Sequence, residues 1–270
     1  MGNKTYFLSD VHLGSAIHRN RMKEYGVTPI IKSDIDNEYF AQHEIERKLC
    51  RWLDMVKQDA CCIYLLGDIF DYWFEYKNVV PRGFTRFLGK LGEVSDMGIE
   101  VHFFIGNHDI WLTDYLQKEC GMIIHRESCR VSINGKNFFL AHGDGLGDEY
   151  RSFKIIRRIF HSKILRVPFA AIHPRWTVGF AHAWSNHSRS TGEEPPYMGE
   201  DKEHLILFAK EQLKREPDTN YFIFGHRHIL LDMMISATSR VVILGDWIKH
   251  FSYGVFDGHD FILDIFEGEE

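Results

Sequence analysis

Five short apolar runs lie along the chain, and each is followed at once by Asp, Asn or His side chains. The runs are rich in aromatic and β-branched residues, which favour strands over helices at this length. They occupy residues 6–8, 63–66, 101–105, 138–141 and 221–224. In open α/β sheets, ligands bind beyond the carboxyl ends of the strands. The pattern therefore predicts buried strands that deliver polar groups to one region of the molecule.

The segments between these runs predict helices and hairpins. Residues 38–57 and 84–94 carry apolar side chains at helical spacing. Two hairpins are predicted where Asn134-Gly135 and Asp257-Gly258 stand between alternating apolar residues. Residues 15–37 are polar and without a clear period, which predicts a solvated connection. Alternating strands and helices, followed by a strand-rich C-terminal part, predict an α/β fold of two packed β-sheets flanked by helices.

Asp10 and His12 follow the first run and can begin a metal site. Alternation along a strand puts residues two apart on the same side. For an isolated D-x-H pair, a turn aspartate and a surface histidine would be the better interpretation. Four further runs end in the same residue types, and a glycine beside each leaves room for backbone to approach an ion. These polar residues are Asp68, Asn107, His142, His226 and His228. The repetition favours a site for two metal ions.

The five motifs as a set resemble those of the calcineurin-like metallophosphoesterases, over nearly the whole chain. In order they are D-x-H, G-D-x-x-D, G-N-H-D, H-G-D and G-H-x-H, beginning at residues 10, 67, 106, 142 and 225. The resemblance implies a four-layer sandwich fold and a dinuclear metal centre. By this likeness one metal is held by Asp10, His12, Asp68 and His228, and the other by Asp68, Asn107, His142 and His226. Asp68 would then bridge the two ions.

The implied ligands also suggest the metal and the reaction. Imidazoles, an amide oxygen and a bridging carboxylate suit Mn, Fe or Zn better than calcium, and two divalent ions, Mn2+ foremost, are expected. Such a pair lowers the pKa of a shared water and clamps the oxygens of an in-line displacement, so that a metal-bridging hydroxide attacks phosphorus. His108 is expected as a proton donor or phosphate contact at the leaving oxygen, oriented by Asp71 or Asp109. Asn107 is expected to touch the substrate as well.

Composition narrows the class of protein. The chain has 270 residues, 44% hydrophobic and 26% charged, as expected for one globular domain spanning residues 1–270. A formal charge of −6 argues against general binding to nucleic acid. The sequence predicts no cleaved signal peptide, no membrane-spanning run and reduced cysteines, as in a cytoplasmic protein. No protein partner is inferred.

The segment between H-G-D and G-H-x-H is basic and apolar. Residues 151–189 contain eight Lys or Arg residues and neither Asp nor Glu. A basic amphipathic helix is typical of a membrane surface, an anionic ligand or a partner. A solvated helix whose Arg and Lys stems cover the core is the alternative. Because the segment is spliced between two metal-ligand strands, a helical lid over the site is predicted at about residues 147–200, with peripheral contact to the inner face of an anionic membrane.

With that insertion, the chain resembles the UDP-2,3-diacylglucosamine pyrophosphatase group of the superfamily. The resemblance implies cleavage of the substrate pyrophosphate to lipid X and UMP, with Mn and a lid over the acyl chains. Phosphate or sugar contacts are expected from Ser185, Ser188 and Arg189 and from Arg157 and Arg158. The group carries Arg at the position of His108. The histidine of this chain is instead the general pattern of the superfamily.

Other interpretations are kept. A soluble phosphodiesterase or phosphatase acting on nucleotides or other phosphoesters would keep the metals, and a non-catalytic scaffold on the same fold would be expected to lose ligands. The aromatic segment 72–76 either packs under its loop or forms a wall for an apolar substrate. His43 and His102 fall outside the ligand pattern and are predicted to be structural.

Overall fold

The first of two β-sheets carries the N-terminal part of the chain and its last hairpin. The computed structural model describes residues 2–15, 34–76, 78–147, 168, 171–172 and 196–267, with only the backbone described for 34–42. Strands β1 to β4 of this sheet run parallel and are Lys4–Leu8, Ala60–Leu65, Glu100–Phe104 and Ile123–His125. The final hairpin, β10 (Ser252–Phe256) and β11 (Phe261–Ile265), pairs antiparallel along β1, giving the order β11-β10-β1-β2-β3-β4.

The second sheet is built from the middle of the chain. Its strands β5 to β9 are Cys129–Ile133, Lys136–Ala141, Tyr221–Phe224, Leu230–Met234 and Arg240–Leu244. Their order is β5-β6-β7-β9-β8, with β6, β7 and β9 parallel and the two outer strands antiparallel. The carboxyl ends of three parallel strands therefore meet at the same edge.

Strict alternation along the strands builds the layers. On β1, Tyr6 and Leu8 pack into the cluster that contains helix residues such as Trp52 and Phe87, whereas Phe7 packs between the sheets. On β6, Phe138 points between the sheets and Phe139 points to the outer face. The helices are α1 (Asp34–Val56), α2 (Thr85–Asp96), α3 (Tyr115–Cys120) and α4 (His204–Arg215). The first three lie on the first sheet and α4 lies on the second, so the predicted fold class of two packed sheets flanked by helices is confirmed.

Most predicted helices and strands are confirmed. Some begin or end at other residues than predicted, and some observed elements were not predicted. Helix α1 begins at Asp34, so residues 34–37 are helical and their assignment to a solvated connection is wrong. The sequence did not predict α3, α4, β4, β8 or β9. The Asn134-Gly135 turn has φ 46 and 76, values that suit this pair in a tight hairpin. Trp73 and Phe74 are fully buried, which supports packing rather than a substrate wall for their segment.

The predicted lid lies almost wholly outside the described residues. This applies to the predicted contacts Arg157, Arg158, Ser185, Ser188 and Arg189. In the described part of the chain, no helix has both the length and the apolar character needed to span a bilayer.

Candidate dinuclear metal centre

The loops after β1, β2, β6 and β7 are tied together by backbone hydrogen bonds. The N–H of Asp10 donates to the carbonyl of Gly67 at 3.1 Å, and that of His12 donates to the carbonyl of Asp68 at 2.9 Å. On the second sheet, the N–H of Gly225 donates to the carbonyl of His142 at 2.9 Å. The sheets are joined where the N–H of His226 donates to Oδ2 of Asp10 at 2.9 Å. The predicted ligands therefore converge from both sheets on one region.

The backbone at this region is unusual for non-glycine residues. Eight described non-glycine residues have positive φ, and five are predicted ligands: Asp10, His12, Asp68, His226 and His228, with φ between 49 and 68. Left-handed backbone costs about 1–3 kcal/mol at such positions and persists where the surrounding structure enforces it. Its concentration here indicates a functional site.

Two motif glycines are required by close approach of a ligand side chain. A Cβ on Gly106 would lie 2.2 Å from Oδ1 of Asp68, and a Cβ on Gly225 would lie 2.5 Å from Oδ2 of Asp10. Real Cβ atoms do not approach so closely, so any other residue would displace the carboxylates. The glycines of G-N-H-D and G-H-x-H thus serve the positions of Asp68 and Asp10.

Asp10, His12 and His228 form the first ligand group. The Nε2 atoms of the two histidines are 3.3 Å apart, and Oδ1 of Asp10 lies 3.4 Å from Nε2 of His228 and 3.9 Å from Nε2 of His12. Asp10 is fully buried, yet its Oδ1 accepts no hydrogen bond from the described residues. A buried carboxylate oxygen without a partner is costly, and a cation is the partner that this donor set fits.

Asp68 stands between the first group and the second. Its Oδ1 accepts the N–H of His108 at 2.8 Å, which fixes the carboxylate. Its Oδ2 lies 3.8 Å from Nε2 of His12 and 3.4 Å from Nε2 of His142. One oxygen therefore faces ligands of both groups, which is the position that a bridging carboxylate needs.

The second group combines Asp68 with His142, His226 and Asn107. Ligand atoms of Asp68, His142 and His226 all lie within 4.8 Å of one another. Oδ1 of Asn107 lies 3.2 Å from Nε2 of His142. All seven predicted ligands are thus brought together.

The protonation states suit cation binding. Burial lowers the pKa of His12 and of His226 to about 3, so both imidazoles are neutral and keep a lone pair near neutral pH. Burial opposes ionisation of Asp68, but His142 and His108 hold its pKa well below the usual range. Burial opposes protonation of His142, but the Asp68 carboxylate raises its pKa well above the usual value, so a bound cation would displace that proton. A buried anion beside two neutral imidazoles fits divalent transition ions.

Three of the ligand histidines are oriented through their second nitrogen. Nδ1 of His142 donates to the carbonyl of Leu66 at 2.8 Å. Nδ1 of His12 lies 3.6 Å from the Asp71 carboxylate, and Nδ1 of His228 lies 3.3 Å from Oδ2 of Asp246. Each contact leaves Nε2 directed at the centre, and such partners raise ligand basicity in metal sites.

Asp71 lies beside both His108 and His12. Oδ1 of Asp71 lies 3.6 Å from Nδ1 of His12 and 3.8 Å from Nδ1 of His108, and the Asp71 carbonyl lies 3.0 Å from the same His108 nitrogen. Asp109 does not orient His108: its oxygens accept the N–H groups of Gly106 and Ile69 at 2.7 and 3.0 Å. The His108 ring packs edge-on against His12, with its side chain about one-quarter exposed (24%). It therefore faces the space beside the ligands.

Asp246 is a site residue that the sequence analysis missed. It follows β9 through Leu244-Gly245, the same apolar-strand, glycine and aspartate order that precedes Asp68. Its Oδ1 accepts the N–H groups of residues 248, 249 and 250. Burial opposes its ionisation, but the contact with His228 and these backbone bonds hold its pKa well below the usual range. The signal was present in the sequence but does not belong to the five motifs.

Asp246→Asn is expected to weaken metal binding by about 10–100-fold, as loss of such a partner does in metal sites. The amide would place an N–H group toward Nδ1 of His228, while the bonds to the backbone through Oδ1 can remain. A metal competition titration measures the affinity. Asp232→Asn, which alters an ion pair with Arg240 on the second sheet, is the matched control and should bind metal normally. Equal affinity of the two variants would contradict the orienting role.

Arg227, between the two histidines of G-H-R-H, anchors the loop. Its side chain is 8% exposed, and Nε and Nη2 donate to the two oxygens of fully buried Glu203 at 2.8 and 3.2 Å. Glu203 is the N-cap residue of α4. A bidentate pair of this kind fixes geometry as well as charge, so His226 and His228 are held to the start of the helix. Nothing in the local sequence indicated Glu203.

The chain was compared with known families and proteins. The model of the calcineurin-like phosphoesterase family matches residues 4–230. The chain belongs to this family. It is 46% identical to a UDP-2,3-diacylglucosamine hydrolase of Porphyromonas gingivalis, covering 100% of both chains. It is 27% identical to a hydrolase of the same name from Aeromonas hydrophila, over 76% of this chain and 84% of that one.

One solved structure gives a more distant likeness. A phosphoesterase from E. coli superposes with a TM-score of 0.42 and 16% identity, covering 98% of this chain and 93% of that one. The predicted family and the predicted enzyme class, a phosphoesterase, are confirmed by the family and full-length matches. Membership of this family implies divalent metal ions. The structure contains candidate ligand groups for such ions.

Proposed function

We propose that this phosphoesterase hydrolyses the pyrophosphate of UDP-2,3-diacylglucosamine, releasing lipid X and UMP. The observation that carries the proposal is the match along the whole of the chain to a hydrolase named for that substrate. The site supports it, because two ligand groups with a shared carboxylate suit displacement at a phosphorus atom.

The proposed metal ligands are those that the geometry brings together. Asp10, His12, Asp68 and His228 would hold one ion, and Asp68, Asn107, His142 and His226 would hold the other. When bound, two such ions activate a water and stabilise charge on the phosphoryl oxygens. Mn2+ is the ion that we propose, since oxygen and imidazole ligands without thiolate suit it.

The residues around the ligands have separate roles in this mechanism. Asp71 and Asp246 keep His12 and His228 in the tautomers that direct Nε2 inward. His108, with Nδ1 at the Asp71 carbonyl, directs its other nitrogen toward the substrate and donates a proton or hydrogen bond at the leaving oxygen. Asn107 holds its amide oxygen at the centre, so its amide N–H remains for a phosphoryl oxygen.

The substrate-binding part is proposed from sequence. We propose a single domain, residues 1–270, with a lid at about 147–200. Its basic and apolar residues would contact acyl chains and an anionic membrane on the cytoplasmic side. Arg157, Arg158, Ser185, Ser188 and Arg189 are the proposed contacts to phosphate or sugar.

The decisive experiment is turnover of UDP-2,3-diacylglucosamine with Mn2+, read out as UMP. Release of UMP is expected, and a nitrophenyl phosphodiester serves as the soluble comparison. Rapid cleavage of the soluble diester with none of the lipid nucleotide would favour a soluble phosphodiesterase. Binding of metal without hydrolysis of either would favour a scaffold.

A lid variant separates the lipid substrate from a soluble one. Ile156 and Phe160 are four residues apart and share a helical face if the segment is helical. Changing both to Asp is expected to abolish hydrolysis of the diacylated substrate, while cleavage of the small diester continues. Ile262→Asp, at a side chain 52% exposed on β11, is the control and should affect neither. Unchanged lipid turnover in the double variant would remove the main support for the lid.

The proposed attachment of the basic segment to an anionic membrane can be measured with lipid vesicles. Each basic residue near an anionic surface contributes about 1 kcal/mol, and salt screens it. We expect sedimentation with phosphatidylserine-containing vesicles at low salt and release at high salt. Salt-independent binding, or none at low salt, would contradict peripheral attachment through the basic segment.

A further inference from the structure

A separate group of metal-ligand side chains lies on the first sheet, away from the dinuclear centre. Cys62 on β2, with Glu100 and His102 on β3, each offer one ligand atom, and these atoms lie within 4.8 Å of one another. In the parallel ladder, Cys62 pairs with Glu100, and Tyr64 pairs with His102. Residues two apart share a side of a strand, so all three ligands lie on the same face of the sheet.

This group is distinct from the proposed dinuclear centre. Cys62 lies three residues before the carboxyl end of β2 at Leu65, about 10 Å at about 3.3 Å per strand residue. The dinuclear centre occupies the carboxyl ends of the strands, whereas Glu100 is the first residue of β3.

His102 is oriented as a metal ligand would be. Its Nδ1 lies 2.8 Å from Nε2 of His125 on β4, within hydrogen-bond distance. Burial lowers the pKa of both rings, so neither is protonated at neutral pH. In the tautomer in which Nδ1–H of His102 donates to Nε2 of His125, the lone pair of His102 Nε2 is available to a cation. Ligand histidines in metal sites are fixed by such a hydrogen bond from the other nitrogen.

Packing does not explain the environment of Nε2, the second ring nitrogen of His102. The His102 ring stacks on Tyr64 at 4.5 Å, which accounts for its burial. Its Nε2 is buried and makes no hydrogen bond with the described residues, although Oε2 of Glu100 is 3.5 Å away. A buried nitrogen whose nearest carboxylate oxygen stands at 3.5 Å is poorly satisfied, which is uncommon in folded proteins. The Glu100 side chain is 69% exposed, so the group opens to solvent and a cation can enter.

We propose that Cys62, Glu100 and His102 form a mononuclear site for a zinc-class divalent cation, with solvent as the fourth ligand. A thiolate with imidazole selects zinc over manganese, in contrast to the oxygen and nitrogen ligands of the dinuclear centre. Zinc-to-ligand lengths of about 2.0–2.3 Å place tetrahedral ligand atoms about 3.5 Å apart, so small side-chain rotations would close the group. Burial raises the pKa of the Cys62 thiol to about 12, and the cation would displace its proton. This proposal gives His102 a role beyond the structural one predicted from the sequence.

Cobalt substitution tests the site independently of hydrolysis. Titrating the metal-free protein with Co2+ is expected to produce a sulfur-to-cobalt charge-transfer band in the near ultraviolet, which zinc then abolishes. The proposed dinuclear ligands include no cysteine, so this band reports a thiolate elsewhere. Cys62→Ser should lose the band, and neighbouring Cys61→Ser, at an exposed thiol, should keep it.

Two ligand variants protect the test against misfolding of Cys62→Ser. Glu100→Gln alters an exposed side chain, and His102→Gln removes the imidazole. Each should keep the fold and lower the apparent affinity for Co2+ by at least about tenfold. Absence of the band in the wild-type protein, its survival in Cys62→Ser, or unchanged affinity in both Gln variants would overturn the proposal.

Discussion

Asp68→Ala is expected to lose both metal ions, or one ion and nearly all activity. Oδ2 of Asp68 lies 3.8 and 3.4 Å from the Nε2 atoms of His12 and His142, so it supplies the negative charge between the two ligand groups. Without it, neutral imidazoles from both sheets would face two cations with less compensating charge. A loss of at least about 10²–10³-fold in kcat is expected, the range for removing one preorganised electrostatic group.

Elemental analysis and turnover on the same preparation check this prediction. Asp218→Ala removes an exposed carboxylate that pairs with Arg130, and it should retain two metals and normal turnover. Asp68→Asn keeps the shape of the side chain and should resemble Asp68→Ala, because the charge is what is lost. Two metals per chain with near-normal activity in either Asp68 variant would show that Asp68 does not bridge.

His108→Ala is expected to keep its metals while kcat falls by about 10²–10⁴-fold, the usual contribution of general acid catalysis. The ring is directed by the Asp71 carbonyl and stands beside His12 and Asp68. Its ligand atom lies within 4.8 Å of theirs, so coordination by His108 is the competing role. A substrate whose leaving group needs no proton should recover much of the lost rate.

The two roles of His108 differ in metal content. A proton donor can be removed with both ions retained, whereas removal of a ligand releases metal. His259→Ala, on an exposed turn, is the control and should change neither quantity. Loss of metal in His108→Ala, without rescue by the better leaving group, would make His108 a ligand.

The sequence indicated which polar residues would come together, because each follows a buried strand. Apolar runs that end in glycine and a polar residue depend only on local order, and parallel strands bring their carboxyl ends together. Asp10, Asp68 and His228 could therefore be proposed as neighbours before any coordinates were known.

What the sequence could not predict depends on long-range packing. Asp71 was expected beside His108, and its second contact, to His12 at 3.6 Å, depends on side-chain direction within the folded loop. Glu203 pairs with Arg227 from 24 residues away, without a periodic signal. Helix α3 has six residues and too few turns for an apolar period. Boundaries such as the start of α1 at Asp34 are set by contacts that local propensity does not contain.

The left-handed backbone of the ligand residues has a consequence for descent within the family. In a lineage that no longer needed metal, His226 could be replaced. At its φ of 68, glycine is less strained than histidine. In the metal-free protein, His226→Gly should then be more stable than His226→Ala by about 1 kcal/mol, the reverse of the usual order in folded segments. Chemical denaturation of the two variants measures the difference. Relatives that have lost catalysis would therefore be expected to carry glycine at these ligand positions.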